Sequence, residues 1–166
     1  MTVRRDLESS GSLMTDLYRE VILEHYRSLR NRGELEAPTC TADGSNPLCG
    51  DEIHLAVQLE DSRITDVRFS GQGCSISQAS ASMMTDQVKE LDREEARIAI
   101  EAFQQLMITG ESSDYDLGDS EMLVGVAKFP ARVKCASLAW KTLEQALKED
   151  FAAGPISTDE RNEDDD

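Results

Sequence analysis

The feature that most constrains the fold is a change of period in the middle of the chain. Ile53, Leu55, Val57 and Leu59 alternate with His54, Ala56 and Gln58, the turn signal "EDS" follows, and Thr65, Val67 and Phe69 alternate again. Successive side chains of a strand point to opposite faces, so this spacing predicts an antiparallel hairpin of strands 53–59 and 63–69 with one buried face. "SGQGC" ends the second strand at Cys74. Beyond it, "SISQASASMMTDQVKEL" abandons the alternation, and small residues lead to Met83, Met84 and Val88. That is the pattern of a helix whose first turns lie close against another element, with the two methionines as core filler.

Helical spacing recurs on both sides of the hairpin. Tyr18, Ile22, Tyr26 and Leu29 form one stripe between Asp16 and Leu29, expected to be buried, and "RNRG" supplies a basic last turn and a stop at Gly33. Residues 34–52 hold two prolines and two glycines and read as a loop. Ala99, Phe103, Leu106 and Met107 mark a third helix, and Ala136, Trp140, Leu143 and Leu147 a fourth that starts near Pro130. Between these two, "GESSDYDLGDSEM" reads as a polar loop. Its acids, Asp114 to Glu121, are expected to be solvated, because they lack the regular ligand spacing of a calcium loop.

A helix, a small antiparallel sheet and then more helices is an α+β order, with the sheet packed against the helices. The 166 residues are enough for one core. The expected organisation is a mobile segment over 1–14, one domain over 15–152 and a disordered acidic tail over 153–166, the last drawn from "PISTDERNEDDD".

A formal net charge of -16 leaves no cluster of Lys and Arg to neutralise phosphates, which argues against a nucleic-acid partner and for a protein one. No run approaches the roughly 20 apolar residues of a membrane span, and "MTVRRDLESSGS" lacks the apolar stretch of a secretory signal. The expected location is the cytoplasm. Four cysteines in a reducing compartment read as metal ligands or reactive thiols rather than as disulfides.

Three of those cysteines sit at element ends: Cys49 before the hairpin, Cys74 at the junction after it, and Cys135 in the first turns of the last helix. In extended backbone, residues two apart point the same way, so Cys49 and Asp51 can present sulfur and oxygen to one point across Gly50. Gly71 and Gly73 permit a close backbone approach to that point, and the helix N-terminus after Cys74 favours its thiolate. If the last helix packs its N-terminal end across the hairpin, Cys135 completes a tetrahedral set. Buried cysteines are also common as small apolar residues, so the pattern alone leaves structural thiols and a metal site equally open.

Four stretches, "LYREVILEHYRSLRNRG", "NPLCGDEI", "GQGCSISQASASMM" and "FPARVKCASLAWKTLEQAL", closely resemble the U-type iron–sulfur assembly proteins from about Leu17 to Leu147. Within that NifU/IscU family the chain resembles the SufU branch. Lys134 stands where an IscU-like protein has a histidine before its last cysteine, and the segment from about Gly110 to Val126 is extra.

The resemblance implies an IscU/SufU-like fold that binds Zn(2+) through Cys49, Asp51, Cys74 and Cys135. It further implies a zinc-dependent sulfurtransferase: Cys49 accepts persulfide sulfur from a PLP-dependent, SufS-like cysteine desulfurase and stimulates it. Downstream iron–sulfur assembly proteins follow in that chain of transfer. In the family the position of Arg132 helps the exchange with the partner. Three thiolates and a carboxylate on a dication leave a net charge of about -2, which suppresses attack by any one sulfur until Cys49 is released.

A second function fits the same ligands, a scaffold that assembles and hands on a transient iron–sulfur cluster. A static zinc module fits less well, because purely structural sites seldom use a carboxylate. A disulfide-exchange enzyme lacks its CxxC. Cys40 reads as an incidental thiol, and His25 and His54, the only histidines, are not expected to touch a metal.

Overall fold

The computed structural model describes residues 16–148 and 156–157. The hairpin is formed by β2 (Asp51–Glu60) and β3 (Arg63–Gln72), both longer than their apolar cores suggest. Asp61 and Ser62 connect them with φ of 50° and 69°, and two successive positive φ values make the turn whose twist matches that of the strands. Leu55, Val57, Ile64, Val67 and Phe69 are buried on one face.

The expected loop over 34–52 is corrected by a third strand. β1 (Cys40–Asn46) pairs antiparallel with β2 over its whole length, from Cys40 opposite Val57 to Asn46 opposite Asp51. Its inward positions are Cys40, Ala42, Gly44 and Asn46, small or polar residues that carry little of the usual strand signal. Gly44 has a packing reason: a Cβ there would meet Thr142 Oγ1 at 2.2 Å and Leu138 Cδ1 at 3.0 Å. Within the stretch expected as a disordered tail, β4 (Ile156–Ser157) runs parallel to β1 beside Gly44 and Ser45. The sheet order is therefore β3-β2-β1-β4. The rest of the tail, and the expected mobile segment 1–14, lie outside the described residues.

The helices are α1 (residues 16–27), α2 (Ser75–Val88), α3 (Arg93–Thr109) and α4 (Pro130–Leu147). α4 packs on β1 and β2 on one side and on α2 and α3 on the other. Trp140 and Phe103 stack between α4 and α3, with ring centroids 4.4 Å apart and planes 8° from parallel. Met83 and Met84 are buried beside them in the same core.

Two expectations change. On α1, Tyr26 is exposed and His25 is buried in its place. At about 100° per residue, positions 18, 22, 25 and 29 share a face and position 26 drifts off it. His25 bonds through Nδ1 to Ser82 Oγ (2.9 Å) and through Nε2 to Asp119 Oδ2 (2.8 Å), tying α1 to α2 and to the segment before α4.

That segment, expected as a polar loop, becomes a 3₁₀ helix over Gly118–Lys128. Leu117, Ser120, Leu123 and Val126 are all buried, at the three-residue period of that helix. No helix among the described residues is long and apolar enough to cross a membrane.

Candidate metal centre

The site lies at one end of the sheet, where the β1–β2 connection, the end of β3 and the first turns of α4 meet. Asn46 ends β1, Pro47 and Leu48 turn the chain, and the Cys49 N–H donates to the Asn46 carbonyl at 3.2 Å. Gly50, at φ 71°, then leads into Asp51. Cys49 is exposed on this turn, whereas Asp51 and Cys135 are each 1 % exposed. The Cys49 Sγ, an Asp51 carboxylate oxygen and the Cys135 Sγ all lie within 4.8 Å of one another, and the two sulfurs are 3.3 Å apart.

Asp51 is held from two sides. Its Oδ1 accepts the Cys74 backbone N–H at 2.9 Å, and its Oδ2 accepts the Asn46 side-chain N–H at 3.2 Å. Close approach of the Cys74 segment depends on two glycines. A Cβ at Gly73 would meet Asp51 Oδ1 at 2.7 Å, and one at Gly71, where φ is 128°, would meet the Glu52 carbonyl oxygen at 2.1 Å. Cys74 caps α2: its sulfur accepts the Ser77 N–H at 3.5 Å and lies 4.0 Å from Asp51 Oδ2. It therefore faces the same space as the other three, although it falls outside the tighter trio.

The chemistry of this donor set calls for a cation. Burial pushes the Cys135 thiol well above its ordinary range, and its hydrogen bonds with Cys49 and Asp51 and the charges of Cys74 and Asp51 push the same way. A dication turns the repulsion among these anions into attraction to itself, and so opposes the cost of burying the Cys135 thiolate. Ligands of a tetrahedral zinc stand about 3.3–3.8 Å apart for bonds of about 2.0–2.3 Å. The two sulfurs, 3.3 Å apart, fall in that range, and three sulfurs with one oxygen suit such an ion.

The other candidates make no hydrogen bond or ion pair with these donors among the described residues. Arg132 is exposed in the first turn of α4, three residues before Cys135, and its guanidinium makes no hydrogen bond or ion pair with a described residue. Cys40 is buried at the opposite end of β1, where it pairs with Val57. His54 is half-buried on the outer face and bonds Asp43 Oδ1 at 2.7 Å, and His25 is taken up by Ser82 and Asp119. Asn46, buried and bonded to Asp51, is a residue of the site that sequence reasoning missed. Its signal was faint: a polar side chain two residues ahead of the Leu48–Cys49 pair and opposite Asp51 in register.

This fold and this arrangement define a class. A model of the NifU-like N-terminal domain matches residues 17–136, and the chain belongs to that family. Within it the chain is similar to the zinc-dependent sulfurtransferase SufU of Bacillus subtilis (strain 168). The two are 47% identical over 140 residues, which span 84% of this chain and 95% of the relative.

An iron–sulfur cluster assembly scaffold protein IscU of Streptococcus pyogenes serotype M1 is 40% identical over 82% of this chain and 86% of its own. Among solved structures, a SUF-system scaffold candidate from Fervidobacterium islandicum AW-1 superposes with a TM-score of 0.74. It is 36% identical and covers 78% of this chain and 95% of its own.

Proposed function

We propose that the protein is a zinc-dependent sulfur carrier of cytoplasmic iron–sulfur cluster biogenesis, loaded by a PLP-dependent, SufS-like cysteine desulfurase that it stimulates. One observation carries this reading: Cys49 is the exposed donor, on a turn that a partner can reach, while Asp51 and Cys135 are buried and Cys74 is half-buried. The name of the 47% identical relative supports it.

Cys49, Asp51, Cys74 and Cys135 would hold Zn(2+), which when bound keeps thiols deprotonated and offsets the crowding of negative charge. In the transfer step the Cys49 thiolate attacks the terminal sulfur of the partner's cysteine persulfide. The partner's S–S bond breaks, its electron pair leaves with the partner's cysteine thiolate, and Cys49 carries the persulfide. Asp51 and Cys135 are enclosed and stay in place through the exchange. Arg132, exposed in the first turn of α4 and without a partner among the described residues, is free to pair with an anionic group brought in during exchange. Downstream iron–sulfur assembly proteins then receive the sulfur.

Peptide mass spectrometry after incubation of zinc-loaded protein with desulfurase and cysteine tests the reading. One added sulfur atom on Cys49, with zinc retained, is the expected result. No added sulfur beside an active desulfurase overturns it. The name of the Streptococcus relative favours a second reading, a scaffold for a transient iron–sulfur cluster on the same cysteines. Iron reconstitution followed by transfer of an intact cluster to an apo-acceptor distinguishes the two.

A further inference from the structure

Asn46 is the point at which three of the four donor residues meet. It is fully buried, and its carbonyl accepts the Cys49 N–H, so it closes the turn that presents Cys49. Its side-chain amide donates one N–H to Asp51 Oδ2 at 3.2 Å and also reaches Cys135 Sγ at 3.5 Å. Its Oδ1 has no hydrogen-bond partner.

A buried acceptor without a donor is unfavourable, so something must hold the amide in this orientation. The other orientation would aim the oxygen at the Asp51 carboxylate. The observed one places both N–H groups on atoms that bear negative charge when a metal is bound, and such charge-assisted bonds are the stronger kind.

The tethers are unequal. Asp51 is held by Asn46 and by the Cys74 N–H, Cys135 by Asn46, and Cys74 by the Ser77 N–H. The Cys49 sulfur makes no hydrogen bond with Asn46, and its one hydrogen-bond partner among the described residues is Cys135.

We propose that Asn46 is a positioning residue that decides which donor leaves the metal: its amide restrains Asp51 and Cys135, so that Cys49 alone is labile. This rests on the reading that these four residues hold the ion.

The test uses the zinc-loaded full chain, limiting iodoacetamide and peptide mass spectrometry, with wild type, Asn46→Ala and Asn46→Asp. Zinc affinity is read separately by chelator competition. In wild type, label is expected first at Cys49. In both variants it is expected to spread to Cys135, and zinc affinity to fall about 10–100-fold, as for loss of an outer-shell partner.

A purely structural role would lower thermal stability without redistributing label. Equal labelling of Cys49 and Cys135 in wild type overturns the proposal even if both variants fail to fold, as does label confined to Cys49 in variants of unchanged zinc affinity. Wild type that takes up no zinc overturns it together with the reading beneath it. Redistributed label in a protein whose Cys49 accepts no sulfur from the desulfurase leaves Asn46 in its role and removes only the carrier function.

Discussion

The Cys135 sulfur lies 3.3 Å from the Cys49 sulfur, although the two residues are 86 positions apart in sequence. Thiols this close are poised to couple when no metal holds them apart. Diamide, which takes up two electrons and two protons as it is reduced to a hydrazine, should join Cys49 to Cys135 in the metal-free protein. Non-reducing peptide mapping reads the link. Bound zinc should slow it strongly, and a Cys49–Cys74 product instead would contradict the arrangement of the site.

Asp51 offers a way to separate metal binding from folding. Asp51→Ala leaves the Cys74 N–H and the Asn46 amide without their acceptor, so both zinc affinity and stability should fall. Asp51→Asn keeps an oxygen for the Cys74 N–H, and its new amide N–H can donate to Asn46 Oδ1 once the Asn46 amide turns over, but the charge is gone. This variant should melt near wild type without metal and still lose more than about 100-fold in zinc affinity, beyond the effect of an outer-shell change. Calorimetry of the metal-free proteins and chelator titration make the comparison.

Gly44→Ala probes the contact between β1 and α4. The added methyl would collide with Thr142 and Leu138, so urea unfolding should show a loss of about 1–3 kcal/mol, the usual cost of overpacking. Unchanged stability would mean that α4 is free to move away from the sheet.

His25→Ala should destabilise the protein by about 1–3 kcal/mol, because Ser82 and Asp119 lose a partner that is buried between them. Hydrogen exchange should quicken over 118–128, while zinc affinity stays at the wild-type value. A weakened metal site in this variant would argue that the 3₁₀ segment positions Cys135.

Strong periodicity made the hairpin and helices α2 to α4 readable in advance. β1 was not readable, because "CTADGSN" is built of residues that strands usually avoid. It is a strand because β2 offers an edge and because small inward residues let α4 approach. The 3₁₀ segment escaped for a different reason. Its buried residues repeat every three positions, between the periods of 2 and 3.6 at which strands and helices are sought.

At the site, the i, i+2 relation of Cys49 and Asp51 was legible from strand geometry. The convergence of Cys135 with them is a product of long-range packing that no local pattern encodes. Asn46 was hidden within a supposed loop, since its meaning depends on a register that only the folded sheet defines.

The outer margins of the sheet have a consequence for how the molecule behaves among its own copies. On one side the backbone of residues 31–33 bonds to Phe69 of β3, and on the other Ile156 and Ser157 lie along β1. Open strand margins are templates on which identical chains add to one another. Two residues thus stand guard over the end of β1 nearest the Cys49 turn, and a chain shortened ahead of Ile156 would expose the peptide groups of Gly44 and Ser45 there, inviting self-association.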